Sequence, residues 1–245
     1  MFNIMKVTIP VLICIIFVLL LLFFIRRKIH ENFSNKLINH IYVINLDKSR
    51  DRMKNIKKIS KESNLHIERF PAIYGKNLNY DFLRKHGYLS NKTILKFNGS
   101  LGCYMSHCLL WEKIYKENKY ENVLIIEDDC IIDKNFNQQM EELTKYIPED
   151  FDYIMLGSNK RKGTSINEKF IRPVQGNIFG LNAGLYGYIV KVKNIPKLLK
   201  LVKPIKYNIY IDTVLRSHFD KLNVFIVKEN IINHNYDFKT VRGIK

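Results

Sequence analysis

The run Val123-Leu124-Ile125-Ile126-Glu127-Asp128-Asp129 constrains this chain more than any other segment. Its four apolar residues form the pattern of a strand buried in a sheet. The strand then runs without a break into three carboxylates. Side chains alternate faces along an extended chain, so Glu127 and Asp129 are expected to point the same way. Three neighbouring carboxylates repel one another unless a cation or hydrogen bonds offset the charge. Hard divalent cations such as Mg²⁺ or Mn²⁺ accept such oxygen ligands, commonly one or two carboxylates together with substrate phosphates. A solvated acidic turn leading to the next helix is the plainer use of the same residues. Open α/β sheets bind ligands at the carboxyl ends of their strands, which is where these acids fall.

The rest of the sequence supplies such a sheet. IYVINL, from Ile41, is a short β-branched and aromatic run, hence a strand. It is followed at once by a helix carrying Met53, Ile56 and Ile59 at helical spacing, with Asp47 or Ser49 placed to cap it. HIERFPAI predicts a second strand, ended by Pro71 and a turn at Gly75. Residues 76–100 show no firm period and predict a surface insertion with one short helix. SLGCYMSHCLLWEKIYKENK predicts an amphipathic helix, with Leu110, Trp111, Ile114 and Tyr115 on its apolar face. FDYIMLGS is a further strand, residues 159–180 a basic loop, and LYGYIVK another strand. Asn194 is expected to cap a helix with Pro196 in its first turn. IDTVLRSHF predicts a short helix and LNVFIVKEN a last strand. Strands alternating with helices argue an α/β fold.

Ahead of this lies an apolar segment. The 19 residues from Val7 to Ile25 carry no charge. A helix of that length spans about 28 Å, close to the roughly 30 Å hydrocarbon thickness of a bilayer. A cleaved signal peptide would usually have a shorter apolar region ending in small residues. This one ends in Phe23, Phe24 and Ile25, followed by Arg26, Arg27 and Lys28. A single uncleaved span is therefore expected, giving a membrane anchor at 1–25, a polar stalk at 26–40 and a globular domain at 41–245. The flanking charges put the domain on the cytosolic side, whereas anchored sugar-processing enzymes commonly face a lumen; the two indications conflict.

Lys and Arg number 40 against 23 Asp and Glu, a formal net charge of +17. That balance suits an anionic partner such as a phosphorylated small molecule, an acidic membrane surface or nucleic acid. A Lys-, Asn- and Ile-heavy composition explains it equally well. The lysines are spread along the chain, with no basic patch interleaved with stacking aromatics, which argues against nucleic acid as the partner. Cys14, Cys103, Cys108 and Cys130 form no Cys-x-x-Cys pair and predict no disulfide scaffold or zinc site.

The blocks IYVINLDKSRDRMKNI, RFPAIYGK, LGCYMSHCLLWEKI, VLIIEDDC and FDYIMLGS, taken in order, resemble those of glycosyltransferase family 25. GLYGYIVKVKNIPKLL and NIYIDTVL resemble its later blocks, so the resemblance covers roughly residues 41–235. It implies a GT-A type fold and inverting transfer of a sugar, galactose or glucose, from a UDP-sugar to a hydroxyl acceptor on a glycan, lipooligosaccharide or protein. It also implies Mn²⁺ or Mg²⁺ on the diphosphate, held by Glu127, Asp128 and Asp129. Arg50 and Arg52 are then candidates to share the diphosphate charge, or else solvated residues of a helix start. Asn45 and Asp47 are candidates for ribose or uracil, with helix capping the rival use of Asp47. Ser106 and His107 either reach the nucleotide or form a core polar network. His234 is a candidate third metal or phosphate contact. Asp212 is the candidate base for the acceptor hydroxyl, or an N-cap. Ala183, Gly184 and Gly187 would leave room for the donor sugar. The residue before Leu101 is usually Glu in the family and is Ser100 here, which keeps open a second possibility: a catalytically inactive nucleotide-sugar or glycan-binding module.

Overall fold

The structure, a computed structural model, describes residues 16–21, 37–93, 98–174, 180–206 and 210–238. The chain divides into two units, residues 1–35 and 36–245. Of the first, residues 16–21 are helical, with exposed apolar side chains. The remainder of the predicted span at 7–25 lies outside the described residues, and among the described residues no helix is long and apolar enough to cross a membrane.

The second unit is built on an eight-stranded mixed sheet. Its strands are β1 (His40–Asn45), β2 (Ile67–Pro71), β3 (Asn122–Glu127), β5 (Tyr153–Met155), β6 (Gly163–Ser165), β7 (Phe170–Pro173), β8 (Gly187–Lys191) and β9 (Val224–Val227). The order across the sheet is β2-β1-β3-β8-β5-β9-β7-β6. β1 runs parallel to both β2 and β3, while β8 runs antiparallel to β3 and β5. β3 therefore sits between β1 and β8, and Val123, Leu124, Ile125 and Ile126 have essentially no exposure. A strand covered on both faces and both edges has no position for a polar side chain, which explains the unbroken apolar run. Polar chemistry begins only where the strand leaves the sheet, at Glu127.

The predicted elements fall where expected, with instructive differences. Helix α1 (Arg50–Glu62) follows β1, with Ser49 at its N-cap position but without a side-chain capping bond. The predicted insertion contains α2 (Tyr80–Lys85), capped by Asn79, which accepts from the Phe82 amide at 3.0 Å. Helix α3 (Asn98–Glu117) is no amphipathic surface helix, since both its Leu101–Tyr104–Cys108 and its Leu110–Trp111–Ile114 residues are buried. It lies beneath the sheet in one core with Tyr42, Val123, Ile125, Tyr153 and Tyr188, every second residue of their strands. Helix α4 is Phe136–Thr144; α5 (Ile195–Val202) and α6 (Ile211–Arg216) follow β8. Asn194 makes no capping bond to α5; its amide donates to the Phe151 carbonyl at 2.9 Å instead.

Three boundaries differ from the sequence reading. Residues 37–40, assigned to the stalk, belong to the domain: Leu37 and Ile38 are buried and His40 opens β1. The basic loop 159–180 contains β6, a short and fully exposed edge strand, and β7, a four-residue strand between β9 and β6; both are too short to show a clear period. LNVFIVKEN is not the last strand. β10 (Ile232–His234) follows and pairs antiparallel with β4 (Cys130–Ile132) as a separate two-stranded sheet. The Ile231 and Ile232 amides both donate to the Leu156 carbonyl, and a Cβ at Gly157 would collide with the Ile232 carbonyl. Glycine there is what lets β10 pass so close.

Trp111 is wholly buried at the centre of α3, and its indole N–H donates to the Tyr188 hydroxyl at 2.9 Å. Trp111→Ala is expected to lower unfolding free energy by about 3–5 kcal/mol, read from the urea midpoint at unchanged slope.

Candidate active site

The acidic turn is organised by one arginine. Arg52, on the first turns of α1, is buried, and its Nη1 lies 2.7 Å from Asp128 Oδ1 and 2.8 Å from Asp129 Oδ2. Asn45, the last residue of β1, donates from its amide to the other Asp128 oxygen at 2.7 Å. Asn45 is in turn fixed by Arg69 Nε, which donates to its Oδ1 at 2.9 Å, and Arg69 also pairs with Asp47. The parallel β1–β3 register, with Ile44 beside Glu127, is what brings these side chains together.

This arrangement sorts the three acids. Both Asp128 oxygens are engaged by Arg52 and Asn45, and Asp128 does not line the cavity that Glu127 and Asp129 line. Glu127 and Asp129 do point the same way, into the wall of a cavity of about 340 Å³. That volume falls within the roughly 300–1,000 Å³ usual for small-molecule sites. Burial pushes the Asp128 carboxyl above its ordinary value, against the pull of Arg52 and Asn45. Asp129 is pushed up to about 6, by burial first and the Glu127 charge second, with Arg52 and His234 opposing.

His234 reaches the same wall through β10, whose register sets it opposite Cys130; the Asn235 amide donates to the Asp129 carbonyl at 2.7 Å. His234 Nδ1 and Asp129 Oδ1 are 3.6 Å apart. Both atoms are buried and neither has a hydrogen-bond partner. Two unsatisfied polar atoms side by side would each cost free energy, on the order of 1–3 kcal/mol, unless something binds between them. A histidine nitrogen, an aspartate oxygen and the neighbouring Glu127 are a donor set that fits Mn²⁺ or Mg²⁺. His234 stacks on Tyr186, ring centroids 5.2 Å apart, and meets Tyr236 edge-on at 4.7 Å.

Asp212 lies across the same cavity. It is not the N-cap of α6, a position held by Tyr210. Its Oδ2 instead accepts the Gly184 amide at 3.0 Å and lies 4.0 Å from Arg216 Nη2. Gly184 has φ +98°, and a Cβ there would run into the Tyr186 ring. Glycine is thus needed to aim its N–H at Asp212. Ala183 and Gly184 line the cavity as expected, whereas Gly187 packs against Ile232.

The remaining nucleotide candidates are not gathered into the cavity. Asp47 and Arg50 are exposed, and Asn45 and Arg52 serve the acidic turn. Ser106 is buried and ties α3 to the β2 loop: its hydroxyl accepts the Ile73 amide at 2.8 Å and donates to the Gly102 carbonyl at 2.7 Å. Ser100 is buried and is not part of the cavity wall. His107, wholly buried, underlies Glu127. The Tyr188 hydroxyl accepts from Trp111 and sits 2.8 Å from His107 Nδ1. An indole N–H only donates, so the Tyr188 proton goes to Nδ1 and the ring hydrogen sits on Nε2. The other tautomer would strand that hydroxyl proton at about 1–3 kcal/mol. Nε2 faces Glu127 Oε1 at 3.6 Å. Tyrosines 186, 210 and 236 and Asn159 also line the wall, with Cys103, Leu185 and Ile211; nothing in the sequence pattern of the tyrosines marks them.

The chain belongs to glycosyltransferase family 25. Residues 38–215 match the family described as "Glycosyltransferase family 25 (LPS biosynthesis protein)". A glycosyltransferase 25 family member of Drosophila pseudoobscura pseudoobscura is 25% identical over 195 residues, covering 75% of this chain and 30% of that protein. Procollagen galactosyltransferase 2 of Homo sapiens is 25% identical over 205 residues, 78% of this chain and 32% of that one. A putative glycosyltransferase of Haemophilus influenzae is 27% identical over 184 residues, 74% and 64% respectively. This chain thus spans about a third of the length of the first curated relatives it matches. A solved glycosyltransferase involved in glycosylation of the major capsid of PBCV-1 aligns over 82% of this chain and 93% of that one, with a TM-score of 0.42 and 10% identity.

Two outcomes are expected. Arg52→Ala leaves two buried carboxylates uncompensated and is expected to cost about 3–5 kcal/mol of stability, measured by urea unfolding. The folded-state pKa of Asp129, about 6, lies above the ordinary 3.8. The folded protein therefore holds this proton more tightly than the unfolded chain, and the contribution of Asp129 to stability falls as pH rises from about 4 to 6. In divalent-free buffer, unfolding midpoints of Asp129→Asn should lack that decline.

Proposed function

We propose that this chain is an inverting, UDP-sugar-dependent glycosyltransferase of GT-A type that moves a hexose to a hydroxyl acceptor, with Mn²⁺ or Mg²⁺ on the diphosphate. The observation that carries the reading is the pair of buried, unpartnered atoms, Asp129 Oδ1 and His234 Nδ1, set beside Glu127 in a cavity that Asp212 faces. Family membership supplies the reaction class. The name of the human relative, a procollagen galactosyltransferase, favours galactose as the sugar and a glycan or protein hydroxyl as acceptor.

In this reading Glu127, Asp129 and His234 hold the divalent ion, which when bound neutralises charge developing on the leaving diphosphate. Asp128 and Arg52 keep Asp129 in place. Asp212, oriented by the Gly184 amide, takes the proton of the acceptor hydroxyl as its oxygen attacks the anomeric carbon and the bond to the diphosphate breaks. Ala183 and Gly184 leave room for the sugar, and the Tyr186–His234–Tyr236 stack offers it ring faces. Residues 7–25 act as a single-pass anchor to the membrane, a role supported by their charge-free length and the exposed apolar helix at 16–21. The globular domain follows from Leu37.

Calorimetric titration with UDP should show binding that depends on Mn²⁺ and is lost in Asp129→Ala and His234→Ala. Asp212→Asn should keep that binding while lowering the transfer rate by about 10²–10⁴-fold. Absence of UDP binding with and without Mn²⁺ would refute the donor assignment.

A further inference from the structure

A second group of ligand atoms sits on the inner side of Glu127. Cys103 Sγ, His107 Nε2 and a Glu127 carboxylate oxygen all lie within 4.8 Å of one another. Glu127 Oε1 is 3.6 Å from His107 Nε2 and 4.0 Å from Cys103 Sγ. Zinc bonds of about 2.0–2.3 Å in a tetrahedron set ligand atoms roughly 3.3–3.8 Å apart. The 3.6 and 4.0 Å separations are close to the edge length of such a tetrahedron. Cys103 and His107 are four residues apart on α3, so the helix presents both on one side. His107 has no exposed surface, yet Nε2 has no hydrogen-bond partner. Cys103 and Glu127 both border the cavity, which leaves a fourth position open to solvent or a ligand. The other described cysteines, Cys108 and Cys130, are wholly buried with thiols pushed up by burial, and are unsuited to this role.

We propose that Cys103, His107 and Glu127 form a second metal site, selective for a thiophilic ion of the zinc type. Sulfur and imidazole favour such ions, whereas the oxygen-rich Asp129 side favours harder ones. On binding, the Cys103 thiol releases its proton to solvent. The His107 hydrogen moves from Nε2 to Nδ1 and is donated to the Tyr188 hydroxyl, the outer bond of a ligating histidine. The Tyr188 proton then loses Nδ1 as its acceptor, a cost that the metal bonds must exceed. One proton is released per ion. Because Glu127 is shared, a zinc-type ion here draws it from the Asp129–His234 side, and the two ions compete. That competition rests on the function proposed above; the site itself does not.

Cobalt(II) spectroscopy on the purified full chain tests the site directly. Added Co²⁺ should give a thiolate-to-cobalt charge-transfer band and the intense visible absorption of a tetrahedral ion. Both should vanish in Cys103→Ser, and Zn²⁺ should displace the cobalt with release of the bands. His107→Gln should weaken cobalt binding at least tenfold. A weak octahedral spectrum without charge transfer in the wild type would overturn the proposal, as would bands that persist in Cys103→Ser. Neither result depends on UDP binding, so this site and the donor site fail independently.

Discussion

Everything at the carboxyl end of β3 depends on the Arg52 guanidinium between Asp128 and Asp129. Two adjacent aspartates, each about nine-tenths buried, would not both stay ionised without a compensating cation. Arg52 offsets their charge from one side and leaves the other side of Asp129 facing the cavity. It thereby divides a run of three acids into Asp128, held by Arg52 and Asn45, and two that line the cavity. The clamp is itself held from below, because Asn45 closes β1 onto Asp128 and Arg69 closes β2 onto Asn45. Three parallel strands thus lend their carboxyl ends to one turn, in accord with where open α/β sheets place their sites.

The far wall is made differently. β10 is three residues long and pairs only with β4, yet it delivers His234 to within 3.6 Å of Asp129. It can do so because Gly157 admits its backbone and Gly187 admits the Ile232 side chain. Asp212 arrives from α6 and is oriented by a single amide on a left-handed glycine. Beneath the acids, the Trp111–Tyr188–His107 chain of hydrogen bonds fixes the imidazole that underlies Glu127. Asp129, Asp212 and the imidazole beneath Glu127 are thus each placed by a hydrogen bond or ion pair.

Much of this was legible in the sequence, for identifiable reasons. The buried strands announce themselves as apolar runs, and β3 ending in acids pointed to the site and to the shared direction of Glu127 and Asp129. What stayed hidden was partner choice. Nothing in the spacing tells that Arg52 turns back onto Asp128 and Asp129 while Arg50, two residues away, faces solvent. Nor does it tell that Asp212 bonds Gly184 instead of capping α6. β10, with one apolar residue, an asparagine and a histidine, carries too little pattern to be read as a strand. The cavity tyrosines at 186, 210 and 236 sit in three separate loops and converge only in the fold.

The central claim is that the clamp aims Asp129, with Glu127 and His234, at a divalent ion, and that Asp128 stands aside. Anomalous scattering at the manganese edge, from crystals of the protein soaked with Mn²⁺ and UDP, would locate the ion directly. The account predicts one principal peak bonded at about 2.0–2.4 Å to Asp129 Oδ1 and His234 Nδ1, with the Arg52–Asp128 pair intact. A peak coordinated by Asp128 with Arg52 displaced, or no peak in the cavity, would contradict it.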